Sequence, residues 1–238
     1  MNESHFYESD MLPRAAGGWR RPGGAELTRK AVRLAGLRAG DAVIDVGCGS
    51  GETVHLLRSE LAIEAVGVDI SPALIALGKQ KFPGLPLQVG DMEKLPYGDG
   101  VFAAALAECV LSLAEHPHRA LAEIRRCLRP GGALIVSDVY IRSGEQEPQA
   151  GPLPRGSCLQ GAAGKREILE CFAAAGFLPQ CFEDHTPLYK SLIAQLIMDN
   201  GSALDFWRPF LGGSPGCRQE AGPQRRRFGY YLALCRAV

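Results

Sequence analysis

The sequence predicts an α/β fold: a mostly parallel sheet with helices on both faces. Three observations predict it. Short apolar runs alternate with segments of helical spacing between residues 25 and 185. The first run, Ala42–Val46, leads into glycines at 47, 49 and 51, and a helix-spaced segment follows at once. Carboxylates then recur at or just past the ends of successive runs, as Asp45, Asp69 and Asp91.

The elements follow in order. Residues 1–25, with Pro13, Pro22 and two Gly-Gly pairs, read as an irregular arm. Ala25 to Leu37 reads as a helix, with Leu27, Ala31, Leu34 and Ala35 on one face and Arg29, Lys30 and Arg33 elsewhere. Ala42–Val46 is a short apolar run suited to a strand buried on both faces. Glu52 to Leu61 is the next helix, and Ala65 to Asp69 the second strand. Ser71 then caps a helix with Pro72 at its first position, running to about Phe82. Leu85–Val89 and Val101–Ala107 are the third and fourth strands. His118 to Leu128 is a helix stopped by Pro130-Gly131-Gly132, and Ala133–Asp138 is the fifth strand. Gly144 to Gly156 reads as a loop. Lys165 to Ala175 is an amphipathic helix, Leu178–Glu183 a sixth strand, and Leu188–Met198 a further helix. Gly212 to Arg227 is polar and predicted mobile, and Phe228–Ala237 is a terminal strand. No repeat or domain boundary is evident. The pattern predicts one domain over 1–238: an arm or lid at 1–25, a core at 40–185, an insertion at 186–227 and a last strand at 228–238.

Composition narrows the function. The chain has 238 residues, 46% of them apolar, enough for a large core. Lys+Arg and Asp+Glu each number 26, a balance that argues against a general grip on nucleic acid. The longest apolar stretch, Val101 to Ala107, is far short of the ~20 residues a membrane span requires. The acidic, polar start MNESHFYESD suits neither a secretory nor a transit signal, so a cytoplasmic protein is expected. The eight cysteines form no C-x-x-C pair, which argues against a zinc ribbon or a thioredoxin-type site. No metal site is expected, apart from a metalloid-binding role for Cys158 weighed below.

The strand-to-helix turn DVGCGSG (45–51) carries the chemistry. Glycines let the backbone turn tightly and let a ligand approach it. Ligands of open α/β sheets sit at the carboxyl ends of the strands. A dinucleotide site wants G-x-G-x-x-G, yet Glu52 stands three residues after Gly49. Asp45 would repel a pyrophosphate and would suit an amino or sulfonium group instead. Asp69, ending the second strand, is placed to accept from a ribose diol. Asp91 can accept from an adenine amino group, and Met92 can cover the ring.

DVGCGSG (45–51), VGVDISPALI (66–75), GDMEKLPY (90–97) and ALAEIRRCLRPGGALIVSD (120–138) together resemble the class I S-adenosylmethionine (SAM)-dependent methyltransferases, in particular the ubiquinone/menaquinone type. The resemblance spans about residues 40–185. It implies a Rossmann-like, seven-stranded sheet with one antiparallel strand. It also implies SAM as cofactor, leaving as S-adenosylhomocysteine (SAH), with contacts at Asp45, Gly47, Cys48, Gly49, Gly51, Asp69, Ile70, Asp91, Met92 and Glu108. Ala107, Glu108 and Cys109 fill the stretch after the fourth strand. The expected acceptor is a small molecule, methylated by direct displacement.

The segment GSCLQGA (156–162) with the helix ending AGF (175–177) resembles part of the arsenite methyltransferases, where the matching cysteine binds trivalent arsenic. That carries over to Cys158, for which a ligand role and ordinary packing stay open. Cys217 lies in a region comparable to that of a second such cysteine, but its surroundings do not match. Glu108, Cys158 and Tyr140 are the catalytic candidates; Glu108 can equally be a solvated strand-end carboxylate. Asp138 and Tyr140 are expected to share an acceptor pocket. His116 and His118 read as solvated. Tyr7, Arg14, Trp19 and Arg21 belong to the arm that can close as a lid, and Arg225–Arg227 reads as a solvated loop. A metalloid or thiol methyltransferase using Cys158 is the alternative within the class. A non-catalytic SAM-binding sensor is the alternative outside it, and monomer and homodimer stay open.

Overall fold

A computed structural model of the chain describes residues 6–8, 18–142, 156–201 and 228–238. The Gly144–Gly156 loop, apart from Gly156 itself, lies outside these residues. So do Arg14, Cys217 and the 212–227 segment.

After a single 3-10 turn at Phe6–Glu8, the chain runs through α1 (Gly24–Ala35), β1 (Ala42–Val46), α2 (Glu52–Leu61) and β2 (Glu64–Asp69). It continues through α3 (Pro72–Lys81), β3 (Leu87–Val89), β4 (Phe102–Glu108), a 3-10 turn at Leu111–Leu113, α4 (Pro117–Cys127) and β5 (Leu128–Ile141). It ends with α5 (Lys165–Ala174), β6 (Phe177–Asp184), α6 (Thr186–Asn200) and β7 (Phe228–Ala237). One seven-stranded sheet has the order β3-β2-β1-β4-β5-β7-β6. Strands β1 to β5 pair in parallel, and β7 runs antiparallel between β5 and β6. The architecture is the expected one, single antiparallel strand included.

The period-2 alternation of β1 sorts its side chains between two cores. Val43 faces Leu27, Val54 and Leu57 from α1 and α2. Ile44 and Val46 face Leu121 and Ile124 of α4 and Phe172 of α5. Both faces are therefore covered, which is why the strands read as nearly unbroken apolar runs. At ~25 cal/mol per Å² of apolar area removed from water, the strand residues that reach zero exposure, such as Val43, Ile44 and Leu106, each contribute on the order of 1.5–3 kcal/mol.

Two expectations change. The third strand starts at Leu87, not Leu85: Pro86 has no N–H, and it joins the sheet edge only as acceptor for Gly67 N, at 2.9 Å. Pro130-Gly131-Gly132 is not a break between α4 and β5, because the strand begins at Leu128. Leu128 pairs Phe102 and Ala133 pairs Ala104, so one residue of β4 faces Arg129–Gly132, which bulge out of the ladder. Gly131, at φ 74°, supplies the left-handed residue that this detour requires.

The chain passes from β1 outward to β2 and β3, then returns to place β4 on the other side of β1. The carboxyl ends of β1 and β4 thus diverge, and a crevice opens between their loops. Helix α3 locks the floor of that crevice. A Cβ on Gly78 would lie 2.6 Å from Ser50 O in the glycine turn. Alanine is worth ~1 kcal/mol over glycine in a helix interior. Overpacking against fixed backbone costs ~1–3 kcal/mol and should win. Gly78→Ala is therefore expected to lower the free energy of unfolding in chemical denaturation. An increase would mean that α3 is not seated on the turn.

Candidate functional site

A cavity of about 570 Å³ occupies the crevice. Its wall includes Asp45, Gly47, Cys48 and Gly49 after β1, Asp69 and Ile70 after β2, Asp91 and Met92 after β3, and Glu108, Cys109 and Val110 after β4. Nine of the ten residues expected to touch a cofactor line it. The exception is Gly51, which is needed for packing: at φ 83°, it would place a Cβ 2.7 Å from Leu87 Cδ1. Gly47 has both demands at once, a φ of 72° and a Cβ position 2.3 Å from Val110 Cγ2.

Asp69 holds the turn. Its Oδ2 accepts from Gly49 N at 2.8 Å and its Oδ1 from Ser71 N at 2.8 Å. Ser71 Oγ in turn caps α3 through Leu74 N at 3.2 Å. Asp69 therefore joins β1's turn to α3's start, a task the sequence reading left to Ser71. Each of its oxygens keeps a lone pair toward the cavity. Burial pushes its pKa up, against the hydrogen bonds from Ser71 and Gly49.

Asp45 is 2% exposed and forms no hydrogen bond or ion pair among the described residues. It faces the cavity with an uncompensated carboxylate. Burial pushes its pKa well up. The negative charge of Glu108 adds to this, and Arg21 opposes it. A buried acid without donors costs free energy unless a ligand supplies them.

Glu108 is not a solvated strand end. It is 8% exposed, and Arg21 Nη2 sits 2.8 Å from its Oε2. Thr53 Oγ1 donates to Oε2 at 2.8 Å and Thr28 Oγ1 to Oε1 at 3.0 Å. Arg21 also bonds Thr28, donates to Gly24 O at 3.1 Å and lies 5.0 Å over the Trp19 ring. The chain entering α1, α1 itself, α2 and β4 meet in this one network. The two threonines looked like ordinary helix residues; nothing in their spacing announced a link to position 108.

The arm residues Tyr7, Glu8, Trp19, Arg20 and Arg21 all line the cavity. Glu8 Oε1 accepts from Ser71 Oγ at 2.7 Å. Tyr7 OH accepts from Cys158 N at 3.2 Å and lies 3.9 Å from Cys109 Sγ. Arg20 contributes positive charge beside Asp69.

Beyond Tyr7, the thiols of Cys109 and Cys158 and the Asp138 carboxylate lie within 4.8 Å of one another, all buried. Asp138, pushed up to about 6 by burial, accepts from Ser112 N, Ser112 Oγ and Val139 N. Tyr140 does not join Asp138 in a pocket. Although two residues from Asp138 and so on the same strand face, its ring leans away into the core, edge-on to Phe182 and Tyr231 at 5.6 and 6.0 Å, and does not line the cavity. His116 and His118 are both exposed, as expected, with His116 3.3 Å from Glu93 and His118 Nδ1 3.5 Å from Cys171 Sγ.

Residues 44–136 match the family model described as a methyltransferase domain. A demethylmenaquinone methyltransferase of Beutenbergia cavernae is 32% identical over 110 residues, which are 46% of this chain and 45% of that protein. An arsenite methyltransferase of Halobacterium salinarum is 27% identical over 152 residues, 60% of this chain and 39% of that protein. The chain thus spans less than half the length of these curated relatives. Among solved structures, the [4+2]-cyclase SpnF superposes with a TM-score of 0.72 at 25% identity, over 97% of this chain and 92% of that one. The glycine turn, the three strand-end carboxylates and the seven-stranded order all fall in or around the matched stretch. Over residues 44–136 this chain is therefore similar to a methyltransferase domain, and it shares its fold with the solved structures that superpose on it.

Proposed function

We propose that this chain moves the methyl group of SAM onto a small-molecule acceptor by direct displacement. The observation that carries the reading is Asp45, a buried carboxylate at the β1–β4 switch point with no hydrogen-bond or ion-pair partner among the described residues. The cavity suits a cation that brings its own donors and carries no phosphate. SAM, when bound, supplies an electrophilic methyl on a sulfonium, together with an ammonium that Asp45 can accept from. Asp69 would accept from the ribose hydroxyls while still holding Gly49. Asp91 and Met92 would flank the adenine, with Ile70, 70% exposed, covered by it.

Glu108 has three donors already and would position Arg21 and the wall above Asp45; it would not act as a free base. Proximity, alignment and exclusion of water then account for most of the rate, because displacement at a sulfonium needs little proton transfer when the nucleophile is soft. The arm at 1–25 would act as the cover, since Tyr7 and Trp19 already stand over the cavity. We take 1–238 as a single domain and place it in the cytoplasm. The second part rests on the described cysteines all being unpaired. The superposition on a [4+2]-cyclase is a reminder that fold alone does not dictate methyl transfer.

Four measurements test this reading. SAH titrated calorimetrically should bind, and Asp69→Ala should weaken it by ~10-fold or more, the value of one or two hydrogen bonds. Unchanged affinity would remove Asp69 from the ribose.

Asp45→Asn separates a ligand role from a structural one by sign. Because burial raises the folded-state pKa, the ionised form is disfavoured by folding. Stability is therefore lost as pH rises above the unfolded value, ~3.9. The cofactor-free variant should thus melt higher than wild type at pH 7, while binding SAH ~10–100-fold more weakly. A variant that melts lower and binds normally would make Asp45 structural.

Arg21→Met should cost ~3–5 kcal/mol in unfolding free energy, since Glu108 would then stay buried beside Asp45 without a cation. Labelled methyl from SAM, followed into a cell extract, decides turnover. SAH binding without any transfer would make this a SAM-binding partner protein.

A further inference from the structure

The cluster beyond Tyr7 has no task in the reading above. It draws from three separate segments. Cys109 follows β4 at φ 60°, a left-handed conformation that a non-glycine residue adopts at a cost, and its N–H donates to Ser137 O at 2.6 Å. Asp138 comes from β5. Cys158 comes from the turn at 156–161, which is seated against the 111–113 turn so tightly that a Cβ on Gly161 would lie 2.0 Å from Ser112 O. The positions are thus fixed by packing and strand register.

Their burial is nearly complete, at 8% for Cys109, 1% for Asp138 and 9% for Cys158. Asp138 makes none of the ion pairs found among the described residues. Ser112 N donates to its Oδ2, Ser112 Oγ and Val139 N donate to its Oδ1, and the Leu111 N–H also faces the carboxylate. A buried carboxylate beside two buried thiols brings one hard and two soft donor atoms to a single point.

We propose that Cys109 Sγ, Cys158 Sγ and Asp138 Oδ2 bind a thiophilic divalent cation, zinc being the natural probe, with a fourth position open on the side of Tyr7 and the cavity. The spacing fits. Tetrahedral zinc with bonds of ~2.3 Å to sulfur and ~2.1 Å to oxygen holds its ligand atoms ~3.5–3.8 Å apart. These three lie within 4.8 Å of one another, so a shift of about an ångström closes the site. The charge also balances. Zinc entry releases two thiol protons to solvent, Zn²⁺ + 2 RSH giving Zn(SR)₂ + 2 H⁺, so a site at −1 from Asp138 alone stays at −1. Among the described residues three ligands converge, the number typical of sites that keep one position for water or substrate.

Cys109 lines the cavity wall, and Tyr7 OH stands 3.9 Å from its sulfur. The open position therefore faces the end of the cavity away from Asp69 and Asp91. This part of the inference rests on the methyl-transfer reading: a thiol would be the acceptor class, held by the cation as its thiolate with the thiol proton lost to solvent, and its S–CH₃ bond would form as the sulfonium S–CH₃ bond of SAM breaks and SAH leaves.

The test uses the full, reduced chain, stripped with chelator and then titrated with zinc against a chromophoric competitor, with SAH calorimetry on the same samples. Expected is one zinc per chain, with affinity falling ~100-fold or more in Cys109→Ser and in Cys158→Ser, and unchanged in Cys181→Ser. Cobalt in place of zinc should show a thiolate charge-transfer band that disappears in both serine variants. SAH binding in those variants certifies that they are folded. SAH binding with no zinc uptake overturns the cation site, as does zinc uptake that survives both serine variants. Uptake of arsenite without zinc also overturns it, in favour of a metalloid held by the same thiols. Zinc uptake without SAH binding keeps the cation site and removes the methyl-transfer reading and the thiol acceptor with it.

Discussion

Two carboxylates, Asp45 and Glu108, lie buried at the carboxyl ends of adjacent parallel strands. Among the described residues, Arg21 is the guanidinium that answers them, bonded to Glu108 and acting on Asp45 through space. Two like charges held close in a low dielectric repel strongly, and one cation cannot neutralise both. The residual negative charge falls on Asp45, whose carboxylate forms no hydrogen bond among the described residues. Much of the rest follows from that imbalance. Thr28 and Thr53 fasten Glu108, Trp19 covers Arg21, and the segment entering α1 is drawn over the cavity by the same guanidinium. A cationic ligand relieves the imbalance, so the energy left unspent in folding is available for binding.

The glycine turn and the second strand form a second coupled pair. Asp69 pins Gly49 and starts α3, while Gly78 of α3 lets that helix close on Ser50. A ligand that engages Asp69 therefore meets a turn already held in its final geometry. Such preorganisation keeps the entropy of ordering the loop out of the binding step.

The two ends of the cavity differ in character. One end is lined by hard oxygen acceptors from β1, β2 and β3. The other carries sulfur from Cys109, with Cys158 and Asp138 directly behind it. A sulfonium cofactor at the first end and a soft nucleophile at the second would place charge and softness where each is matched.

The sequence by itself determined the sheet, the strand-end carboxylates and the glycine turn. Those are local matters: period, turn conformation and the short offset from strand end to helix start are written in consecutive residues. The resemblance carried by four motifs in order implied one antiparallel strand without saying which, and the structure makes it β7. What the sequence left open depended on residues far apart in the chain. The fate of Glu108 rested on Thr28 and Thr53, 80 and 55 positions away, and read alone it looked as fit for solvent as for the core. Tyr140 sits two residues from Asp138, and a strand's alternation should have placed both on one face. Instead the ring leans into the core with Phe182 and Tyr231, while Asp138 turns toward Ser112. The grouping of Cys109 with Cys158 was beyond reach of spacing, since their sulfurs meet only after β4, β5 and the 156–161 turn have packed. Tertiary structure decided these points because burial and partnership are properties of the closed sheet, and no window of sequence contains them.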